Sequence, residues 1–225
     1  MFRSIFKPAF LEIEIKKSRF LAHACPIFTM EDALVFIEEM KEEHKRATHN
    51  CSAFIIGKQK EKQQYSDDGE PQGTAGLPML DVLLKEDLTN ICVVVTRYFG
   101  GIKLGASGLV RAYSNSCRKV IEEGELVYYN KFHHIRMRID YTYLGKIEYF
   151  MNSLAYDEVQ RDFSDQVVLE YFLPEDDYKK VEEQILEISQ GKGELEKVGE
   201  RDFPTDHRKR IKKGKLWQDI INGVK

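Results

Sequence analysis

Hydrophobic and polar positions along this chain of 225 residues fall into two rhythms, which change over near Gly124. From residue 10 to 28 they alternate on both sides of Lys16-Lys17-Ser18-Arg19, which predicts strands or a hairpin. Thr29 then opens a capped helix, with Asp32 three residues on and Ala33, Phe36, Ile37 and Met40 forming one apolar face. Cys51 to Ile56 returns to strand character. Residues 59–76 are polar and turn-rich and predict a long loop, a feature that in compact domains is more often functional or mobile than filler. Leu80, Leu83 and Leu84 predict a short helix. Residues 91–96 begin as the continuous apolar run Ile-Cys-Val-Val-Val, the pattern of a strand buried on both faces. That run empties into a turn carrying Gly100, Gly101, Gly105 and Gly108. A helix follows, with its N-cap expected at Ser107, its apolar face at Leu109, Ala112, Tyr113, Cys117, Val120 and Ile121, and its closing glycine at Gly124.

Beyond Gly124 the order changes to strand (134–141), helix (Leu144, Ile147, Met151, Leu154) and two strands (158–163 and 166–173) joined at Ser164-Asp165. A second helix (Tyr178, Val181, Ile185, Ile188, closed by Gly191) and a last strand (195–203) complete it. This βαββαβ order is the ferredoxin-like arrangement. The fold class expected is therefore α+β, with a first domain at 1–128, a ferredoxin-like domain at 134–203 and a tail at 204–225.

Charge changes the picture only at that tail. The chain as a whole carries a formal net charge of −3, which neither announces nor excludes nucleic-acid binding. Residues 204–225, however, hold seven lysines and arginines against Asp206 and Asp219. Trp217, Ile220, Ile221 and Val224 follow the basic cluster at helical spacing. The tail reads equally as a basic arm for RNA or another acidic surface and as a solvated extension. Cys25, Cys51, Cys92 and Cys117 form no closely spaced pair, and Cys92 and Cys117 fall on expected core positions. With charges interrupting the N-terminal segment and no apolar run of membrane-spanning length, a cytoplasmic protein without membrane contact is expected.

Three segments could carry chemistry. In the glycine turn, backbone amides at the helix start near Ser107, with Arg97, Lys103 and Arg111 close in sequence, could receive an anion. Gly100, Gly101 and Gly105 would bring the backbone close to a phosphate, and the same glycines could equally serve a tight strand-to-helix connection. Asp67-Asp68-Gly69-Glu70-Pro71 places three carboxylates in four residues, which suits a hard cation, acid–base work or a solvated acidic turn. It lacks the ligand spacing of an EF-hand. His44, His49 and Cys51 fit no standard zinc signature, so no metal and no cofactor are expected.

The strings SRFLAHACP (18–26), HNCSAF (49–54), SDDGEPQGTAGLPML (66–80) and VVVTRYFGGIKLGASGLVRAY (93–113) together resemble the YigZ/IMPACT family. The resemblance covers residues 1 to about 125, and the pattern at 134–203 agrees with the second domain of the bacterial members. It implies a first domain similar to the fold shared by domain IV of elongation factor G and a small-subunit ribosomal protein. It also implies a link to translational control, in which eukaryotic relatives act by binding a ribosome-associated protein through a further domain that has no counterpart here.

The expectation that follows is a non-enzymatic RNA- or ribosome-associated factor, with a possible protein partner in translation. Arg97, Lys103 and Arg111 would contact phosphate, and Tyr98 would stack. Two alternatives stand beside it. One is a hydrolase using Asp67, Glu70 and His49, and the other is a binding protein for a small phosphate ligand at Ser107.

Overall fold

The computed structural model describes residues 1–156, 158–206 and 209–210, and divides into two compact units, Met1–Tyr128 and Tyr129 onward. The expectations for Trp217 and the apolar residues after it lie outside the described residues.

The first unit runs β1 (Phe2–Ile5), β2 (Ala9–Ile15), β3 (Ser18–Pro26), α1 (Met30–Glu43), β4 (His49–Ile56), β5 (Lys62–Ser66), α2 (Gly76–Lys85), β6 (Ile91–Tyr98) and α3 (Ala106–Glu123). Its main sheet is antiparallel, ordered β2-β3-β6-β4-β5. The central strand β6 explains its own composition. Val93 and Val95 face a core shared with Met79, Leu83, Leu109, Tyr113 and Cys117 of α2 and α3. Cys92 and Val94 face a second core with Ala33 and Ile37 of α1. Helices on both faces leave β6 no solvated side, so it has no polar alternation. As predicted, α1 is closed by a capping box in which the Thr29 side chain accepts from Asp32 N and Asp32 reaches back to Thr29 N.

The structure corrects three local expectations. The segment 59–76 is not a continuous loop, because Lys62–Ser66 forms the edge strand β5 on β4. All of its residues are exposed, so it carries no apolar signature to read. The N-cap of α3 is Gly105 rather than Ser107. Gly105 sits at φ 75°, ψ 165°, a conformation open almost only to glycine. Gly124 ends α3 at φ −75° rather than in the left-handed region. It must be small because an added Cβ would lie 2.9 Å from Ile5 Cβ.

In the second unit β7 (Leu126–Ile139) lies mostly beyond the division, which falls within this strand. After it come α4 (Tyr141–Ser153), β8 (Glu158–Phe163), β9 (Val167–Pro174), α5 (Tyr178–Ile188), β10 (Glu194–Asp206) and the short β11 (Lys209–Arg210). The element order is βαββαβ, as its pattern predicts, and the sheet order is β11-β10-β7-β9-β8. Ile135, Met137 and Ile139 of β7 and Val167, Leu169 and Leu173 of β9 bury against Ile147 and Met151 of α4 and Val181 and Ile185 of α5. Asp140 caps α4 by accepting from Thr142 N at 2.8 Å.

Candidate functional site

Sheet register builds the site. Arg97, at the end of β6, stands opposite Phe20 of β3 and His49 of β4, so three neighbouring strands project these side chains to one face. The acidic segment Asp67–Glu70 crosses the same face on its way from β5 to α2. Its three carboxylates do three separate jobs, and each is structural.

Asp67 accepts from Gly73 N (2.7 Å), Ala75 N (3.1 Å) and Gly76 N (2.8 Å). It thereby supplies the cap that Ala75, the N-cap of α2, cannot provide. Asp68 accepts from Asn50 N at 2.6 Å, and its carbonyl lies 2.8 Å from His49 Nδ1. Glu70 is buried. Its Oε1 accepts from Arg97 Nη1 at 2.7 Å and from the Tyr113 hydroxyl of α3 at 2.8 Å, while its Oε2 lies 3.8 Å from His49 Nε2. Burial pushes the Tyr113 phenol far up, which keeps it a proton donor to Glu70. Burial likewise holds the Cys51 thiol well above its ordinary range, so Cys51 is no thiolate nucleophile.

Glu70, His49 and Arg97 therefore meet as a clasp closed on itself, while the Asp67 carboxylate is turned to the start of α2. Arg97 is not an exposed phosphate contact. Its guanidinium is committed to Glu70 and lies 5.6 Å from the Phe20 ring centroid and 5.4 Å from that of Phe99. Tyr98 is partly occupied as well, with its hydroxyl 3.2 Å from His44 Nδ1 and the Arg19 guanidinium 5.6 Å from its ring centroid. Among the described residues no group of three His, Cys, Asp or Glu side chains is arranged to hold a metal ion.

The exposed part of the site lies beside this clasp. Gly100 packs so closely on the β2–β3 turn that an added Cβ would sit 1.9 Å from Lys17 O, and Gly100 N donates to Ser18 Oγ at 3.1 Å. That turn is two residues long, and Lys16 (φ 48°) and Lys17 (φ 63°) both take left-handed conformations. A two-residue hairpin with positive φ at both positions normally carries Asn-Gly. Lysines there are strained and present their charges outward. Beyond Gly101 (φ 82°) a cleft of about 300 Å³ opens between this turn and α3. Ile15, Leu104 and Ala112 line it with Asn115, Lys16 and Arg111, and it has no carboxylate.

Lys16, Lys17, Lys103 and Arg111 are exposed, and none has an acidic partner among the described residues. Ser107 is exposed on the first turn of α3. Phe99 and Ile102 complete the surface at 47% and 43% exposure. Sequence reasoning singled out Lys103, Arg111 and the glycines but missed Lys16, Lys17, Phe99 and Ile102. The one signal available for the lysines was their place between two alternating runs.

Comparison with known proteins gives two domain matches. Residues 16–121 match the Impact N-terminal domain, and residues 137–192 match a domain of unknown function, DUF1949. IMPACT family member YvyE of Bacillus subtilis is 42% identical over 189 residues, covering 84% of this chain and 87% of that protein. IMPACT family member YigZ of Escherichia coli is 33% identical over 184 residues, with 81% and 90% covered. Among solved structures, the crystal structure of a hypothetical protein aligns with a TM-score of 0.58 at 30% identity, covering 88% of this chain and 97% of that one.

Proposed function

Because this chain belongs to the IMPACT family, we propose that it is a non-enzymatic factor that associates with RNA or the ribosome and modulates translation. The observation that carries this reading is a set of four exposed cations, Lys16 and Arg111 on the cleft and Lys17 and Lys103 on the two turns that Gly100 packs together. Cations without intramolecular carboxylates keep their full charge for an external anion, and phosphate is the anion that a row of lysine and arginine side chains meets best. The family resemblance in the motifs adds the link to translation and the likeness of the first unit to domain IV of elongation factor G. A protein partner in translation and a cytoplasmic location belong to the same reading. Among the described residues no helix is long and apolar enough to cross a membrane.

The hydrolase alternative is not favoured. Asp67 and Asp68 are spent on backbone amides, and the Glu70 side chain, with 2% of its surface exposed, is spent on Arg97 and Tyr113. Co-sedimentation with ribosomes at rising salt tests the proposal. The wild type pellets with ribosomes at low salt, and Lys103→Ala and Arg111→Ala release it at lower salt. Pelleting that is unchanged in both variants overturns it.

A further inference from the structure

We infer that the RNA bound at this surface is single-stranded, and that one unpaired base stacks on Phe99, whose ring is held in place by the buried Arg97–Glu70 pair. The inference rests on the RNA-binding reading and adds the class of RNA and the residue that selects it.

Phe99 immediately follows β6, and its ring lies 5.4 Å from the Arg97 guanidinium. Arg97 is itself fixed by its ion pair with Glu70 and by packing over the Phe20 ring. A phenylalanine at a loop start ordinarily samples several rotamers, and immobilising it on binding costs affinity. Here a buried ion pair holds the ring beforehand through a cation–π contact. The ring nonetheless remains 47% exposed, so part of its surface is left to a ligand.

Its surroundings identify that ligand. Ile102 is another exposed apolar side chain on the same turn, Lys103 follows it directly, and the Lys17 backbone packs on Gly100, which lies between Phe99 and Ile102 in sequence. An aromatic ring set among unpaired cations is the arrangement that binds unstacked bases together with their phosphates. A duplex hides its base faces in the stack and offers phosphates alone, so it would use the cations and leave Phe99 idle.

The arrangement also gives the acidic segment a part in binding. Glu70 touches no RNA; it is a positioning residue that acts through Arg97. This accounts for a buried carboxylate behind a cationic surface, where a free one would repel phosphate.

Fluorescence anisotropy with a labelled single-stranded oligoribonucleotide, and with a duplex of the same sequence, separates the possibilities. Phe99→Ala weakens single-strand binding about tenfold, the loss of one stacked base, and leaves duplex binding unchanged. Phe99→Tyr restores it. Glu70→Gln, with folding checked by circular dichroism, lowers single-strand affinity and leaves duplex affinity alone, whereas Lys103→Ala lowers both. Equal affinity for the two RNAs with no effect of Phe99→Ala overturns this inference and leaves the RNA-binding reading standing. No measurable binding of either RNA by the wild type overturns both.

Discussion

The Arg97 guanidinium donates to Glu70 Oε1 across 2.7 Å where the two side chains keep only 7% and 2% of their surface exposed. Removing one member of such a pair strands the other as a buried charge, a heavier penalty than losing a surface bridge. Glu70→Ala also leaves the Tyr113 hydroxyl without its acceptor. It is expected to destabilise the first unit by about 3–5 kcal/mol in urea unfolding. Glu70→Gln, which keeps an acceptor for Tyr113, costs less. Equal stability of wild type and Glu70→Ala would contradict the clasp.

Asp67 gives a second, separable test. It accepts from three backbone amides at the start of α2, so Asp67→Ala leaves those donors unpaired in a partly buried place. A loss of about 1–3 kcal/mol is expected. Asp67→Asn recovers part of it through the remaining carbonyl oxygen. Hydrogen exchange localises the effect, with protection falling first at Gly73, Ala75 and Gly76.

Much of this was legible in the sequence, for identifiable reasons. The Ile91–Val95 run reads as a doubly buried strand because burial on both faces removes all polar alternation. The βαββαβ order of the second unit reads from local periodicity alone. What could not be read is pairing across distance. Nothing local shows that Glu70 reaches Arg97, 27 positions away, or that Gly100 rests on Lys17. From sequence alone Arg97 reads as a phosphate contact, because a lone arginine beside glycines looks exposed. Strand β5 has no sequence signature because an edge strand solvated on both faces shows no hydrophobic period. Ser107 resembled an N-cap because the cap chosen, Gly105, works by backbone conformation and carries no side-chain signal.

The strained β2–β3 turn predicts a trade between stability and binding. Left-handed conformations cost a non-glycine residue roughly 1–2 kcal/mol. Lys17→Gly therefore raises the unfolding free energy by about 1 kcal/mol while weakening RNA binding. A variant that is both less stable and equally tight-binding would count against the turn as a binding element.

A pH effect follows from the first unit's histidine pair. His23 Nε2 lies 3.4 Å from His44 Nε2, with Glu43 beside them, Tyr98 at the far nitrogen of His44 and Phe10 against the His23 ring. Burial, and then repulsion from His44, lower the His23 pKa below the ordinary imidazole value, Glu43 opposing in part. The folded state thus binds this proton less readily than the unfolded state. The contribution is full above the unfolded value of about 6.5 and is lost as pH falls from there through the lower folded value. His23→Gln is expected to flatten that part of the stability profile between pH 7.5 and 5.5, read from urea midpoints at each pH. An unchanged profile would exclude the pair as its source.

The cationic surface itself is tested most directly by the salt dependence of RNA affinity. With Lys16, Lys17, Lys103 and Arg111 each displacing a counterion from a single strand, log affinity should fall against log salt with a slope of about −3. The Lys103→Ala/Arg111→Ala double variant should fall with a slope of about −1.5. A slope near zero in the wild type, or the same slope in both proteins, would contradict the account.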